Sequence, residues 1–377
     1  AILYANCLEK QFGQRPIVFY SNGYSTYILN DYNNEPERKI FGFYRKDELM
    51  TLIQRRSLRE PLASALSKID RNIINRVYQQ TEVTKAIETF YENRRKALLV
   101  MATGSGKTRT AIALVKALME SQNVKRVLFL ADRVNLVEQA RDNFATLYPS
   151  TTTANVLDKV SDEARDLNAR IIFSTYQSMM GLIEQKRADG TDLFGVGHFD
   201  LIIVDESHRS LYNKFGILFE YFDSMLLGLT ATPKRELGIN TFKTFELPND
   251  EPTHSYDLYE AIGDQYLVPP KAISIDLKLP NEGIVYDELS PEEQEHFEDL
   301  FEDEDGYIPD VIDGNQINEH IKNKDTVRTM LHKLMTNGLK VENGDKLGKT
   351  IIFTNRDENA EHIVEIFNKE YPHLGQD

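Results

Sequence analysis

Met101-Ala102-Thr103-Gly104-Ser105-Gly106-Lys107-Thr108 is the stretch that decides the fold. It follows an unbroken apolar run, Ala97 to Ala102, and precedes a stretch from Thr110 to Met119 whose apolar residues fall at helical spacing. A glycine-rich loop between a buried strand and a helix lets backbone N–H groups turn inward around a phosphate, with the helix dipole behind them. At this spacing Lys107 is expected to reach the β- and γ-phosphates of a bound nucleotide, and the Thr108 hydroxyl to ligate Mg2+. Thr103, Gly104, Ser105 and Gly106 complete the expected cradle. The stretch departs from the strict motif at its first position, where Met101 stands in place of glycine.

Outward from this loop the same texture repeats. Arg126 to Ala131, Arg170 to Ser174, Leu201 to Asp205 and Met225 to Thr230 are further short apolar runs, and Val134 to Phe144 between them reads as an amphipathic helix. Continuous rather than alternating hydrophobicity is what a strand buried on both faces requires. Strands alternating with helices predict an α/β protein built on a doubly wound parallel sheet. A similar unit restarts at Thr350-Ile351-Ile352-Phe353-Thr354, followed by a helical pattern from Glu358 to Phe367. Near the start, Pro16 to Tyr20 and Tyr24 to Leu29 flank Ser21-Asn22-Gly23, which predicts a hairpin with no catalytic constellation.

Asp205-Glu206-Ser207-His208 closes the Leu201 to Val204 run. A carboxylate at the C-terminal end of a parallel strand, beside a phosphate loop, can hold Mg2+, and a second can deprotonate the attacking water. Asp205 is therefore assigned to the metal and Glu206 to the base. His208 is expected to couple nucleotide state to movement.

Tyr78-Gln79, Met101 to Thr108, Asp205 to His208 and Thr230-Ala231-Thr232-Pro233 together resemble, in order and spacing, the motifs of superfamily 2 helicases and translocases. That resemblance implies a RecA-like P-loop fold, ATP and Mg2+ as cofactors, and Gln79 reading the adenine edge. Leu130-Ala131-Asp132-Arg133 and Ser174-Thr175-Tyr176-Gln177 are similar to the DNA-strand motifs of the first motor domain. By resemblance, Arg133, Ser174, Thr175 and Gln177 would touch DNA phosphates, which fixes position without reading sequence. Lys349 to Thr354, with Asn355-Arg356 and His362, resembles the opening motif of a second motor domain.

The resemblance narrows further. Arg94 to Ala111, Asp205 to Ser210 and Glu260 to Pro269 look like the R (HsdR) subunits of type I restriction enzymes. Leu3 to Glu9, Gly13 to Pro16 and Ser21 to Tyr24 resemble the tail of that family's nuclease domain, and Phe43 to Leu49 with Ile53 to Arg56 its junction into the motor. The implied organisation is a nuclease-domain remnant over 1–56, a complete first RecA-like domain over 57–270, and a linker with an incomplete second RecA-like domain over 271–377. The chain lacks an initiator Met and is expected to begin inside a longer protein. The family's nuclease metal residues are expected before Ala1, and the arginine that completes the ATP site beyond Asp377. The implied activity is ATP-driven translocation of double-stranded DNA before cleavage, with methyltransferase and specificity subunits as partners. A type III restriction or repair motor, or an inactive nucleotide-gated docking module, are the alternatives.

Composition bounds these expectations. The 377 residues carry 44 basic and 59 acidic side chains, a net charge of −15, which argues against a simple basic DNA-binding module but not against a local DNA groove. No apolar run approaches the ~20 residues of a membrane helix, and one cysteine, Cys7, excludes an internal disulfide framework and fits a cytoplasmic location. The acidic stretch from Glu282 to Asp310 reads as a solvated helix and loop, with mimicry of DNA or docking to a basic partner as its functional alternative.

Overall fold

The computed structural model describes residues 2–33, 35–157, 167–187, 189–205, 211–233, 235–236, 239–270, 284–286, 294, 311–312, 324–341, 346–354 and 357–374. Two units divide at Pro269 and Pro270. The first begins with α1 (Ile2–Phe12), then β1 (Val18–Ser21), β2 (Thr26–Leu29) and β3 (Arg38–Ile40), and α2 (Lys46–Arg55). Next come α3 (Val77–Tyr91), β4 (Lys96–Met101), α4 (Lys107–Glu120), β5 (Val127–Ala131), α5 (Val134–Leu147) and β6 (Thr153–Asn155). Then follow β7 (Ile171–Thr175), α6 (Tyr176–Ile183), β8 (Leu201–Asp205), α7 (Leu211–Tyr221) and β9 (Met225–Thr230). The unit closes with a hairpin of β10 (Arg235–Glu236) and β11 (Ile239–Asn240), α8 (Thr241–Thr244), β12 (His254–Tyr256) and α9 (Leu258–Gly263).

Seven parallel strands form the central sheet in the order β12-β4-β9-β8-β5-β7-β6. The five central strands are the five apolar runs of the sequence, and each is buried on both faces. Strand periodicity sorts their side chains into two cores. Leu99, Met101, Phe129, Phe173, Ile203 and Leu229 pack with α3, α4 and α5. Leu98, Val100, Leu130, Ile172, Val204 and Leu226 face α6 and α7 on the other side. This is the doubly wound RecA-like α/β sheet that the sequence predicts. Its two edge strands are short and polar, and β6 and β12 left no apolar run to read.

Residues 2–56 are fastened to this unit. The hairpin expected around Ser21-Asn22-Gly23 is present, with Val18 opposite Leu29, and β3 extends it to three antiparallel strands. Ile28, Ile40 and Tyr44 enter the core beneath α6 and α7. Arg45 donates to the carbonyl oxygens of Asp192 and Leu193, and Arg55 pairs with Asp200 at 2.7 Å.

In the second unit, helices Lys324–Asn337 and Asp357–Glu370 pack through Val327, Leu331 and Ile366. The helix expected from Glu358 is therefore present, but Thr350 to Thr354 is not in a strand. A strand needs a neighbour to satisfy its backbone groups, and none lies beside it among the described residues. Ile351 and Phe353 are 79% and 89% exposed. Asn355 and Arg356, and most of the acidic stretch from Glu282 to Asp310, lie outside the described residues.

Candidate functional site

The chain leaves β4 at Met101 and enters α4 at Lys107 through a loop that only glycine permits at two points. Gly104 has φ +84° and Gly106, the residue before the helix, φ +95°. Both lie in the left-handed region that side chains avoid. A Cβ on Gly106 would sit 2.6 Å from Gln79 Nε2. Inside the turn, Ser105 Oγ donates to the Ala102 carbonyl at 2.6 Å, and Gly106 O accepts from Thr110 N to start the helix. The exposed N–H end of α4 thus opens above the sheet, with Lys107 and Thr108 in its first turn. Such a helix end attracts anions.

Two side chains of α3 brace the loop from behind. The Tyr78 hydroxyl and Gln79 Nε2 both donate to the Ser105 carbonyl oxygen, at 2.6 and 2.9 Å. Gln79 is buried, and its amide nitrogen is committed to the loop. Tyr78 stacks on Tyr256 with centroids 3.8 Å apart and meets the edge of Tyr266, over which Arg76 lies. Tyr256 O accepts from Ala102 N, tying β12 to the start of the loop. Tyr78 and Tyr266 line one wall of a cavity of about 530 Å3 that also meets His254 and Asp264.

Glu82, one helical turn beyond Tyr78, is fully buried, with Oε1 3.0 Å from His254 Nδ1. Burial pushes the Glu82 carboxyl up, opposed by the histidine. The hydrogen bond to Glu82 raises His254 above the usual imidazole value. Sequence reasoning missed Arg76, Glu82, His254, Tyr256 and Tyr266. Only their proximity to Tyr78-Gln79 marks them; α3 itself carries Glu82, with Arg76 at its N-cap, and the pairing of β12 with β4 brings His254 and Tyr256 there.

The other strand ends converge on the same edge. β9 lies between β4 and β8, with Val100 opposite Thr230 and Asp205 opposite Leu229. Asp205, half-buried, therefore ends its strand two positions across from the phosphate-type loop, and its carbonyl oxygen accepts from the Tyr176 hydroxyl at 3.2 Å. Thr230 Oγ1 accepts from Thr232 N. Glu206 and His208 lie outside the described residues.

Further along this edge, β5 and β7 bring Arg133 and Gln177 to neighbouring strand ends, both exposed. Ser174 and Thr175 point differently. Ser174 is fully buried and donates to the Thr175 carbonyl, while Thr175 Oγ1 caps α6 by accepting from Ser178 N. Their hydroxyls are used inside the chain. Among the described residues no helix is long and apolar enough to cross a membrane.

Against this geometry stand the likenesses to known proteins. The family described as the type III restriction enzyme res subunit matches residues 72–235. The EcoAI type I restriction enzyme endonuclease subunit of Escherichia coli is 35% identical over 212 residues, 55% of this chain and 25% of that one. The EcoKI endonuclease subunit of Escherichia coli K12 is 27% identical over 337 residues, 80% of this chain and 27% of that one. A fragment structure from Vibrio vulnificus YJ016, described as an HsdR subunit of a type I restriction enzyme, aligns with a TM-score of 0.40 at 24% identity. That alignment covers 70% of this chain and 45% of that one. The chain spans about a quarter of the length of the two curated relatives.

Proposed function

We propose that this chain belongs to the family of type I restriction enzyme R (HsdR) subunits and carries the ATP-dependent, double-stranded-DNA-translocating motor of such an enzyme. The observation that carries the reading is the convergence of the Gly104–Thr108 cradle and Asp205 on one sheet edge, with only β9 between them. Residues 57–270 act as the first RecA-like domain, 1–56 as the end of a nuclease domain built onto it, and 271–377 as linker and part of a second RecA-like domain.

The residues present fit ATP and Mg2+. Two left-handed glycines give the loop a turn that side chains avoid, and the donor set of hydroxyl and carboxylate oxygens suits a hard cation. Thr108 and Asp205 would hold the metal, with Thr103 to Gly106 offering backbone N–H groups to the phosphates. Bound Mg·ATP supplies the phosphoanhydride whose cleavage powers movement. Lys107 places a positive charge where the terminal phosphates lie, Glu206 takes the proton of the attacking water, and His208 couples that state to movement. Gln79, spending its amide nitrogen on Ser105, senses the nucleotide through the loop and retains its oxygen for the adenine.

On the DNA side, the exposure of Arg133 and Gln177 supports their contact with backbone phosphates, with Ser174 and Thr175 shaping that edge from within. Double-stranded DNA, and the methyltransferase and specificity subunits of a cytoplasmic restriction complex, are the partners this reading requires. The type III family description at residues 72–235 favours a second reading, a type III restriction motor. Sequencing upstream of Ala1 separates the two, a metal-nuclease motif shortly before it favouring the type I reading. The test of the motor itself is Lys107→Ala in the assembled enzyme, which should abolish ATP-dependent translocation on duplex DNA. Full translocation by that variant would overturn the proposal.

A further inference from the structure

The strands of the central sheet are parallel, so their starts share the edge opposite the phosphate loop, about 20 Å away along β4. At that edge lies a cleft of about 70 Å3, several times the ~10–15 Å3 that holds one water. Arg95 enters it just before β4, Arg38 from β3, and Arg55, Arg56 and Arg59 from the end of α2 and beyond. The carboxylates lining it are Glu35, Asp200 and Asp223. Five guanidinium groups thus face three carboxylates, an excess of two positive charges in a chain whose net charge is −15.

The pairing identifies where that excess sits. Asp223 takes Arg38 and Arg95, Asp200 takes Arg55, and Glu35 takes Arg59 and Arg38. Arg56 has no carboxylate partner among the described residues. Its guanidinium donates to the Arg15 carbonyl and to Asn30 Oδ1 at 2.9 Å, and its plane lies over Tyr32. The nearby Asp31 is already taken by Arg15. In addition, the Nε atoms of Arg55 and Arg56 are buried and have no acceptor among the described residues. A half-buried guanidinium without a carboxylate partner is stabilised when an anion joins it, and arginine's planar fork matches the oxygens of a phosphate group.

We propose that this arginine cleft at the N-terminal edge of the sheet is a binding site for a phosphate group, distinct from the nucleotide cradle and centred on Arg56. The group comes either from a free oxyanion or from a nucleic-acid backbone. A larger groove of about 650 Å3 shares Arg38, Arg59 and Arg95 with the cleft and runs on past Arg94, Tyr91 and Tyr32.

Inorganic phosphate is the probe, with chloride at matched ionic strength as the control. The 377-residue chain carrying Lys107→Ala removes the lysine of the nucleotide cradle. Phosphate should raise its unfolding temperature where chloride does not, and Arg56→Gln added to it should demand roughly tenfold to a hundredfold more phosphate for the same rise, the loss of one charged hydrogen-bonding partner. Arg56→Lys keeps the charge without the fork, guards against a folding failure of the first variant, and should fall between the two. Binding of duplex DNA across a salt series then separates the sources. A backbone phosphate in the cleft makes Arg56→Gln flatten the salt slope by about one, whereas an unchanged slope alongside the phosphate effect assigns a free oxyanion. A phosphate response equal in the Arg56 variants, or absent from the Lys107→Ala chain, would overturn the site.

Discussion

Arg38 and Asp223, 185 residues apart in the chain, meet with the arginine Nε 2.8 and 2.9 Å from the two carboxylate oxygens. Arg95 and the Tyr44 hydroxyl complete the cage at 2.9 and 2.5 Å. Asp223 is buried there at the start of β9, so the first three-stranded sheet is tied to the central one by a shared carboxylate. Burial pushes that carboxyl up, but Arg95 and Arg38 outweigh it and hold it down at about 2.

Removing that charge should loosen both sheets together. Asp223→Asn leaves Arg95 without its carboxylate and Arg38 with Glu35 alone, and breaking a buried pair by removing one partner costs about 3–5 kcal/mol. Denaturant unfolding should show this as one cooperative transition at a lower midpoint. Because the folded carboxyl sits below its unfolded value of about 3.9, its stabilisation is full above that pH and fades as pH falls toward 2. A variant within ~1 kcal/mol of the parent would mean the cage is not a structural tie.

The phosphate loop predicts an ordered pair of glycine effects. Gly104→Ala and Gly106→Ala both force a side chain into the left-handed region, worth about 1–2 kcal/mol each. At Gly104 the new Cβ only touches Leu267 at 3.4 Å, whereas at Gly106 it strikes Gln79 at 2.6 Å and must break the bond to Ser105. Nucleotide affinity should therefore fall further for Gly106→Ala, and Gln79→Ala added to it should recover part of the loss. Equal effects of the two alanines would contradict the bracing role of Gln79.

The five central strands were legible because burial on both faces leaves continuous apolar runs, and the loop because glycine positions are dictated by backbone geometry. The edge strand β12 was not, since His254-Ser255-Tyr256 is too short and polar to carry a period. With it went Tyr256, His254 and the wall beside the loop. Likewise Ser174 and Thr175 read from the sequence as outward-facing motif residues, while the turn into α6 draws both hydroxyls inward. The Arg38–Asp223 tie, between residues 185 apart in the chain, has no local signal at all.

His254 offers a pH-dependent test of that wall. Its hydrogen bond to Glu82 raises the imidazole above about 6.5. The stabilisation is therefore complete below that pH and lost as pH rises through the raised value. From pH 6 to 8.5 the unfolding temperature of the chain should decline, and that of His254→Gln should decline less. Parallel declines would show that the pair contributes nothing in this range.

Glu206→Gln addresses hydrolysis separately from binding. The amide keeps size and loses basicity, so Mg·ATP should still bind while turnover in the assembled enzyme falls by ~10²–10⁴. Should Glu206→Gln destroy metal binding while Asp205→Asn spares it, the two roles are reversed.

On the proposed function the loop from Thr103 to Thr108 is a working nucleotide cradle, and equilibrium binding of Mg·ATP to the 377-residue chain is its plainest test. The chain should bind Mg·ATP saturably, and Lys107→Ala, folded to the same degree, should bind it roughly tenfold to a hundredfold more weakly, the worth of one charged contact at ~1.5–3 kcal/mol. Equal affinity in the two proteins would place the nucleotide elsewhere and contradict the account.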